Sequence, residues 1–185
     1  MRSRRSKLTK RLTLSAMLVA LGTVFMIIGA FVEVLDLSVC ALVSMLMVFA
    51  YIEIGSPYTW LIWLATSLLT FILYSGSTMW MLYLLIFGIY PLLKGYIERM
   101  RRPLWLLPKL IFGNLSFLAA GALTVFLFGL PIIDVEELPF IPPTVAYAAF
   151  WLLVNFAFLL YDYFLTAMAR FYIVKLRHRF KNLLD

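Results

Sequence analysis

The chain has 185 residues, of which 64% are apolar and 14% charged, with a formal net charge of +7. Soluble domains are closer to half apolar and a quarter charged, so this composition indicates a one-domain polytopic membrane protein. The positive charge would suit nucleic acid, but we exclude that partner because the basic residues lie at the ends of apolar runs. The single cysteine, Cys40, excludes an internal disulfide and a multi-cysteine metal site.

The 16 lysines and arginines form three clusters separated by long apolar runs. The clusters lie within 2–11, 94–109 and 170–181. Lys and Arg beside membrane spans mark the cytoplasmic side, so the clusters place three points of the chain on one face of a bilayer. An even number of spans must then separate each pair of clusters. We expect residues 94–103 and 170–185 to be cytoplasmic.

Apolar runs of about 20 residues, the length that crosses a bilayer, predict six transmembrane helices. The predicted spans cover residues 12–32, 37–54, 58–75, 77–93, 104–130 and 144–170. Basic tails over 1–11 and 171–185 flank them. We therefore expect an all-α, six-transmembrane-helix bundle with cytoplasmic N- and C-termini. It would lie in the cell membrane, of the bacterial inner membrane type.

The first span is too long for the apolar core of a cleavable signal peptide, so we expect it to be retained. Small residues recur along it at intervals of three and four: Thr13, Ala16, Ala20 and Thr23. Such a stripe lets two helices approach closely in lipid. The sequence leaves open whether the second helix belongs to this chain or to a partner.

The least certain boundary lies between the third and fourth spans. Residues 58–93 are apolar almost throughout, and only the Ser-Gly-Ser-Thr segment at 75–78 divides them. A five-span arrangement would leave the basic residues of 170–181 on the wrong face of the membrane. Six spans are therefore favoured.

The chain lacks the sequence patterns of a catalytic centre. Its one histidine, His178, lies in the basic tail, and no HExxH, GxSxG, P-loop or GxGxxG occurs. An intramembrane enzyme needs paired acids or a nucleophile with a base inside the spans. We therefore predict that the protein is not an enzyme.

Few polar side chains lie at membrane depth. Glu53 and Asp162 either extend toward the membrane interface, pair with a cation of a basic cluster such as Lys94 or Lys109, or have a function of their own. Asn114 and Asn155 are more central, and a buried amide must bond either another helix or a ligand. Asn155 and Asp162 are seven residues apart and so share a helix face, which should point into the bundle.

Aromatic residues crowd the half of the bundle far from the basic clusters. Trp and Tyr gather at membrane interfaces, so an aromatic belt is one interpretation. The other is the wall of a pocket for a small molecule, since ligand sites are mostly apolar with a few placed polar groups. The residues are Tyr74, Trp80, Tyr83, Tyr147, Phe150 and Trp151.

The stretch KRLTLSAMLVALG over residues 10–22 resembles the start of an S component of energy-coupling factor (ECF) transporters. These are small six-helix membrane proteins with both ends cytoplasmic. Their first helix often carries Ala-x-x-x-Ala, which docks on a shared transmembrane coupling subunit. Ala16 and Ala20 match those two positions. The resemblance implies no cofactor in this chain, because two ATPase subunits of the complex hydrolyse the ATP.

The resemblance also implies a pocket that opens to the outer face and takes a vitamin-like or other small organic nutrient. Glu33 and Asp36, between the first two spans, would help to gate or bind it, and the 131–143 segment would cover it. The expected lining residues are Trp80, Tyr83, Tyr147, Trp151 and Asn155, with Asn155 as the floor. The alternative function is a scaffold or assembly factor of the bacterial envelope, which binds lipid and protein partners but no cargo.

Overall fold

The computed structural model describes residues 2–32, 35–100, 104–130 and 142–177, and its secondary-structure elements there are all helices. This confirms the all-α prediction. The α-helices are α1 (Arg2–Phe31), α2 (Asp36–Glu53), α3 (Ser56–Leu73), α4 (Met79–Leu82), α5 (Tyr90–Ile97), α6 (Leu106–Phe128) and α7 (Pro143–Phe171). Two π-helical turns cover Tyr83–Phe87 and Tyr172–Leu176.

Six stretches of helix in the described ranges are long and apolar enough to cross a membrane, which confirms a multi-pass membrane protein. They are Leu8–Phe31, Asp36–Glu53, Ser56–Leu73, Met79–Ile97, Leu106–Phe128 and Pro143–Lys175. The fourth consists of α4, the first π turn and α5. The others correspond to α1, α2, α3, α6 and α7.

The fourth span differs most from its prediction. The sequence predicted that it ends at residue 93 and that Lys94 opens a loop, but the helix continues to Ile97 and Lys94 is only 6% exposed. The reason is electrostatic: the carboxylates of Glu98 and Asp162 form ion pairs with its ammonium group. The hydropathy of the sequence would place the Lys94 charge in water, but these ion pairs stabilise it within the protein.

Helices α1, α2 and α3, here called the three-helix unit, pack closely against one another. Two glycines of α1 allow the approach. A Cβ on Gly22 would lie 3.3 Å from Thr66 Cγ2, and one on Gly29 would lie 2.9 Å from Val39 Cβ. Together with α4, this unit encloses most of the buried apolar core: Leu18, Met26, Ala30, Cys40, Val43, Met47, Ala50, Ile54, Ile62 and Met79.

Helices α6 and α7, here called the two-helix unit, are much more open. In each, 17% of the apolar span is buried, against 39% in α1 and 28% in α2 and in α3. Helix α6 contacts the first π turn, α5 and α7, and α7 contacts α2 and α6. A small second core joins them to the bundle through Tyr90, Phe158 and Leu165.

A π-helical turn interrupts the fourth span. Over Tyr83–Phe87 the helix widens, and Gly88 N donates to Tyr83 O, five residues earlier, at 2.7 Å. Such turns are rare and occur frequently at functional sites.

Neighbouring helices bond to carbonyls of this wide turn. Trp63 Nε1 of α3 donates to Leu84 O at 3.2 Å, and the Tyr161 hydroxyl of α7 donates to Phe87 O at 3.2 Å. Backbone carbonyls in a bilayer need such partners when they lack a helical one. The turn thereby connects the three-helix unit to the two-helix unit.

Candidate functional site

The most polar place in the described bundle centres on Asp162 of α7, which lies between two lysines from different spans. Lys109 Nζ of α6 lies 3.0 and 2.9 Å from the two carboxylate oxygens. Lys94 Nζ of α5 donates to Asp162 Oδ1 and also, at 3.0 Å, to the Asp162 carbonyl. One carboxylate therefore joins three transmembrane segments.

Glu98 and Tyr90 complete this Asp162 cluster, which consists of Tyr90, Lys94, Glu98, Lys109 and Asp162. Glu98 Oε1 lies 3.0 Å from Lys94 Nζ and 3.1 Å from Lys109 Nζ. The Tyr90 hydroxyl donates to Asp162 Oδ1 at 2.6 Å. Two ammonium and two carboxylate groups make the cluster neutral. Each lysine side chain is only 7% exposed, so the charges compensate one another inside the bundle.

The bonding of the cluster indicates a structural role. Buried ion pairs persist only where hydrogen bonds compensate the loss of water. Each ammonium group here has three acceptor contacts, to carboxylate or carbonyl oxygens. The predicted pairing of Asp162 with Lys94 or Lys109 is confirmed, and it involves both. Glu98 was not predicted as a member of the cluster, although its position four residues after Lys94 on the same helix face was a signal.

Glu53, the other acid predicted at membrane depth, pairs elsewhere. It accepts a hydrogen bond from the Tyr172 hydroxyl at 3.0 Å, and Arg177 Nε lies 3.4 Å from it. Glu53 therefore pairs with a cation of a basic cluster, as one interpretation expected, but the cation is Arg177 rather than Lys94 or Lys109. The contact joins the end of α2 to the chain just beyond α7.

Asn114 of α6 and Asn155 of α7 form a reciprocal amide pair. Each Nδ2 donates to the other's Oδ1, at 2.9 and 3.1 Å. Each Nδ2 also donates to the carbonyl four residues earlier in its own helix. Of the two interpretations left open, bonding between helices is the one observed. The Asn155 amide is thus already engaged by a neighbouring helix.

The small residues of α1 do not share one environment. Thr13, Ala16 and Ala20 are exposed, beside Met17, which is 64% exposed. Thr23 is turned inward and is 5% exposed. Ala16 and Ala20 therefore lie on a face of α1 that no described helix of this chain covers.

Trp80 and Tyr83 belong to the fourth span and pack within the bundle. The Trp80 ring meets Phe71 edge-on, with 4.7 Å between centroids, and its Nε1 donates to Ser75 O at 3.3 Å. Tyr83 is completely buried in the core around the three-helix unit. Both residues lie against α3 rather than facing open space.

The other predicted substrate residues lie apart from these. Tyr147 and Trp151 are 51% and 37% exposed on α7, and Asp36 begins α2. Glu33 and residues 131–141 lie outside the described residues. Tyr83 thus lies in the core, whereas Tyr147 and Trp151 lie on the surface. Their substrate-binding role stays a prediction.

Metal binding has no support in the part of the chain that the structure describes. No group of three or more His, Cys, Asp and Glu side chains there could hold an ion. Comparison of the chain with family models, with curated proteins and with solved structures finds no match.

Proposed function

We propose that this chain is the substrate-binding subunit of an ECF-type importer for a vitamin-like or other small organic nutrient. It would act in a bacterial inner membrane, bound to a transmembrane coupling subunit and two ATPase subunits. The chain itself would need no cofactor, since the ATPase subunits supply the energy. Six spans and the resemblance of residues 10–22 both suit this role.

The observation that carries the proposal is the exposure of Ala16 and Ala20. An internal packing role would require both to face α2 or α3, where Gly22 and Gly29 already provide the close contact. Both alanines lie instead on the free face of α1. Small side chains on an exposed face let a partner helix approach closely in lipid.

The test is co-purification from native membranes of the tagged chain and of its Ala16→Leu/Ala20→Leu variant. We expect the unaltered chain to bring down a membrane partner and two ATPases, and the variant to lose them at least tenfold. The variant should keep its thermal stability because the added bulk faces lipid. The matched control is Ala149→Leu/Ala157→Leu, which adds the same bulk on the exposed surface of α7.

Two results would contradict the proposal. One is that the unaltered chain recovers no ATPase subunit under conditions that preserve membrane complexes. The other is that the α7 control loses the partners as completely as the α1 variant. A marked loss of thermal stability in the α1 variant would instead indicate that Ala16 and Ala20 pack against other helices of this chain.

The second candidate function is a scaffold or assembly factor without cargo, and one observation favours it. Asn155, the expected pocket floor, is bonded to Asn114 rather than open to a ligand. Native mass spectrometry of the purified chain separates the two functions. A retained small molecule supports the importer, and its consistent absence together with recovery of envelope proteins supports the scaffold.

A further inference from the structure

Arg99 lies just beyond α5 and is exposed, and no carboxylate in the part of the chain that the structure describes lies within ion-pair distance of it. The acid next to it in sequence is Glu98. Its Oε1 lies 3.0 Å from Lys94 Nζ and 3.1 Å from Lys109 Nζ, so this carboxylate already compensates two buried cations. The guanidinium charge of Arg99 is therefore available to a counter-ion from outside the described bundle.

Two tyrosines from different spans orient the Arg99 guanidinium. Arg99 Nη2 donates to the Tyr51 hydroxyl at 3.1 Å, and the guanidinium carbon lies 5.3 Å from the centroid of the Tyr96 ring. The two rings meet edge-on with 6.4 Å between centroids. A Cβ on Gly95 would lie 2.7 Å from Tyr51 Cζ, so the missing side chain lets the Tyr51 ring lie against α5.

These residues meet where three spans end at one membrane interface. Tyr51 lies two residues before the end of the second span at Glu53, Ser56 begins the third, and Tyr96 directly precedes the end of the fourth. The Tyr96 hydroxyl and Ser56 Oγ share a hydrogen bond. The basic clusters of the sequence predict that this interface is cytoplasmic, and the cytoplasmic leaflet carries anionic phospholipids.

The oriented guanidinium has the chemistry that recognises a phosphate. Its N–H donors form a planar fork, and the donors that Tyr51 does not use can bind two phosphate oxygens at once. The Tyr51 hydroxyl accepts from Arg99 through its oxygen, so its own proton can be donated to the same phosphate. A side chain that the protein already holds in place loses less conformational freedom on binding.

We propose that Arg99, with Tyr51 and Tyr96 beside it, binds the phosphate of an anionic phospholipid headgroup. A zwitterionic headgroup contains its own cation and leaves the charge of Arg99 without net compensation. Free inorganic phosphate shares the binding chemistry, but the site lies at span ends, where lipid headgroups are concentrated. The inference is independent of the proposed function, because an importer subunit and a scaffold would bind such a lipid alike.

The first test places the full chain in nanodiscs of equal parts phosphatidylglycerol and phosphatidylcholine. Native mass spectrometry then identifies the lipid that dissociates last, which we expect to be phosphatidylglycerol. Arg99→Gln should lower this preference about tenfold, which corresponds to about 1.4 kcal/mol. Tyr51→Phe should lower it less, because the guanidinium charge remains. An unchanged preference in Arg99→Gln would overturn the proposal.

Arg170→Gln is the matched control, because it removes the same charge from another exposed arginine at a span end. Arg170 lies in the last turn of α7 and makes none of the tyrosine contacts of Arg99 among the described residues. We expect this variant to keep the preference for phosphatidylglycerol. A loss equal to that of Arg99→Gln would indicate general attraction between a basic surface and anionic lipid, and would overturn the site.

Thermal unfolding separates lipid binding from a role of Arg99 within the protein. A bound lipid stabilises the folded chain by mass action, so Tm should be higher in discs that contain phosphatidylglycerol than in discs of phosphatidylcholine alone. Arg99→Gln should lose most of this lipid-dependent difference, whatever its Tm in phosphatidylcholine. An undiminished difference would contradict the proposal. An equal rise in Tm when inorganic phosphate is added to phosphatidylcholine discs would identify a free anion and overturn the assignment to lipid.

Discussion

The three-helix unit and the two-helix unit are held together by different contacts. In α1, α2 and α3, glycines bring backbones close and methionines such as Met26 and Met47 fill the space between. In α6 and α7, polar contacts are prominent: Asp162 joins both helices to Lys94 of α5, and the Asn114–Asn155 pair joins α6 to α7. Most of the remaining surface of α7 is apolar and exposed.

The difference follows from the solvent. Lipid chains are as apolar as leucine, so apolar side chains gain little by leaving lipid for a helix interface. Helices associate there either by close van der Waals contact, which needs small residues, or by polar bonds. The three-helix unit uses the first means. The two-helix unit has one close contact of the first kind, Gly113 against Phe158, and adds polar bonds. Its outer apolar sides face the bilayer, which makes its few polar residues individually important.

The largest expected effect comes from Asp162→Asn. The change keeps the shape but removes the charge that compensates Lys94 and Lys109, so it leaves uncompensated positive charge inside the bundle. We expect a loss of about 3–5 kcal/mol in the free energy of unfolding, measured by chemical denaturation in detergent micelles.

The control for this change is Glu53→Gln. The Glu53 side chain is 9% exposed, but its only ionic partner among the described residues, Arg177, is 51% exposed and 3.4 Å away. Because solvent screens that pair, we expect a smaller loss than for Asp162→Asn. The cluster matters to the two-helix unit only if Asp162→Asn costs clearly more than Glu53→Gln. Equal losses would remove the contrast drawn between the two units.

A smaller effect is expected from Gly29→Ala in the three-helix unit. The new Cβ would lie 2.8 Å from Met79 Cε and 2.9 Å from Val39 Cβ, so the helices must separate. We expect overpacking to cost about 1–3 kcal/mol. Alanine is the better helix former by about 1 kcal/mol, so any destabilisation reports the clash.

Gly76→Ala is the matched control, because a Cβ there meets nothing within 4 Å. Thermal unfolding of the two variants in the same lipid checks the expectation. If Gly29→Ala is as stable as Gly76→Ala, close packing does not hold α1 in place.

The smallest expected effect concerns the amide pair. Asn114→Leu and Asn155→Leu should each cost about 1 kcal/mol, and a double-mutant cycle should give a coupling of about 0.6 kcal/mol. Each Nδ2 keeps a helix carbonyl in reach in the unaltered chain, which limits the loss. Strictly additive effects would show that the pair does not stabilise the contact between α6 and α7.

The spans were predictable because length and hydropathy are properties of the chain itself. The end of the fourth span was not, because Lys94 is tolerated in a helix only through Asp162, 68 residues later. The π turn was also missed. The segment over 83–87 is uniformly apolar, and the atoms that stabilise the turn belong to Trp63 and Tyr161 on other helices.

For the candidate site, the sequence indicated which helix faces point into the bundle, but not which groups lie opposite those faces. Spacing placed Asn155 and Asp162 on an inward face, which the structure confirms through Asn114 and Lys109. The spacing could not show whether Asn155 bonds a helix or a ligand, because the sequence does not give the distances between spans.

The π turn sets the rotational phase of the fourth span. A turn of this kind holds about one residue more than an α-helical turn, and each α-helical residue advances the helix by about 100°. Without the extra residue, α5 would present a different side to α6 and α7. Tyr90 and Lys94 reach Asp162 in the orientation of α5 that the π turn sets. A single residue of local geometry thus determines whether Lys94 meets its counter-ion 68 positions further along the chain, and whether the Tyr90 hydroxyl meets its acceptor 72 positions further.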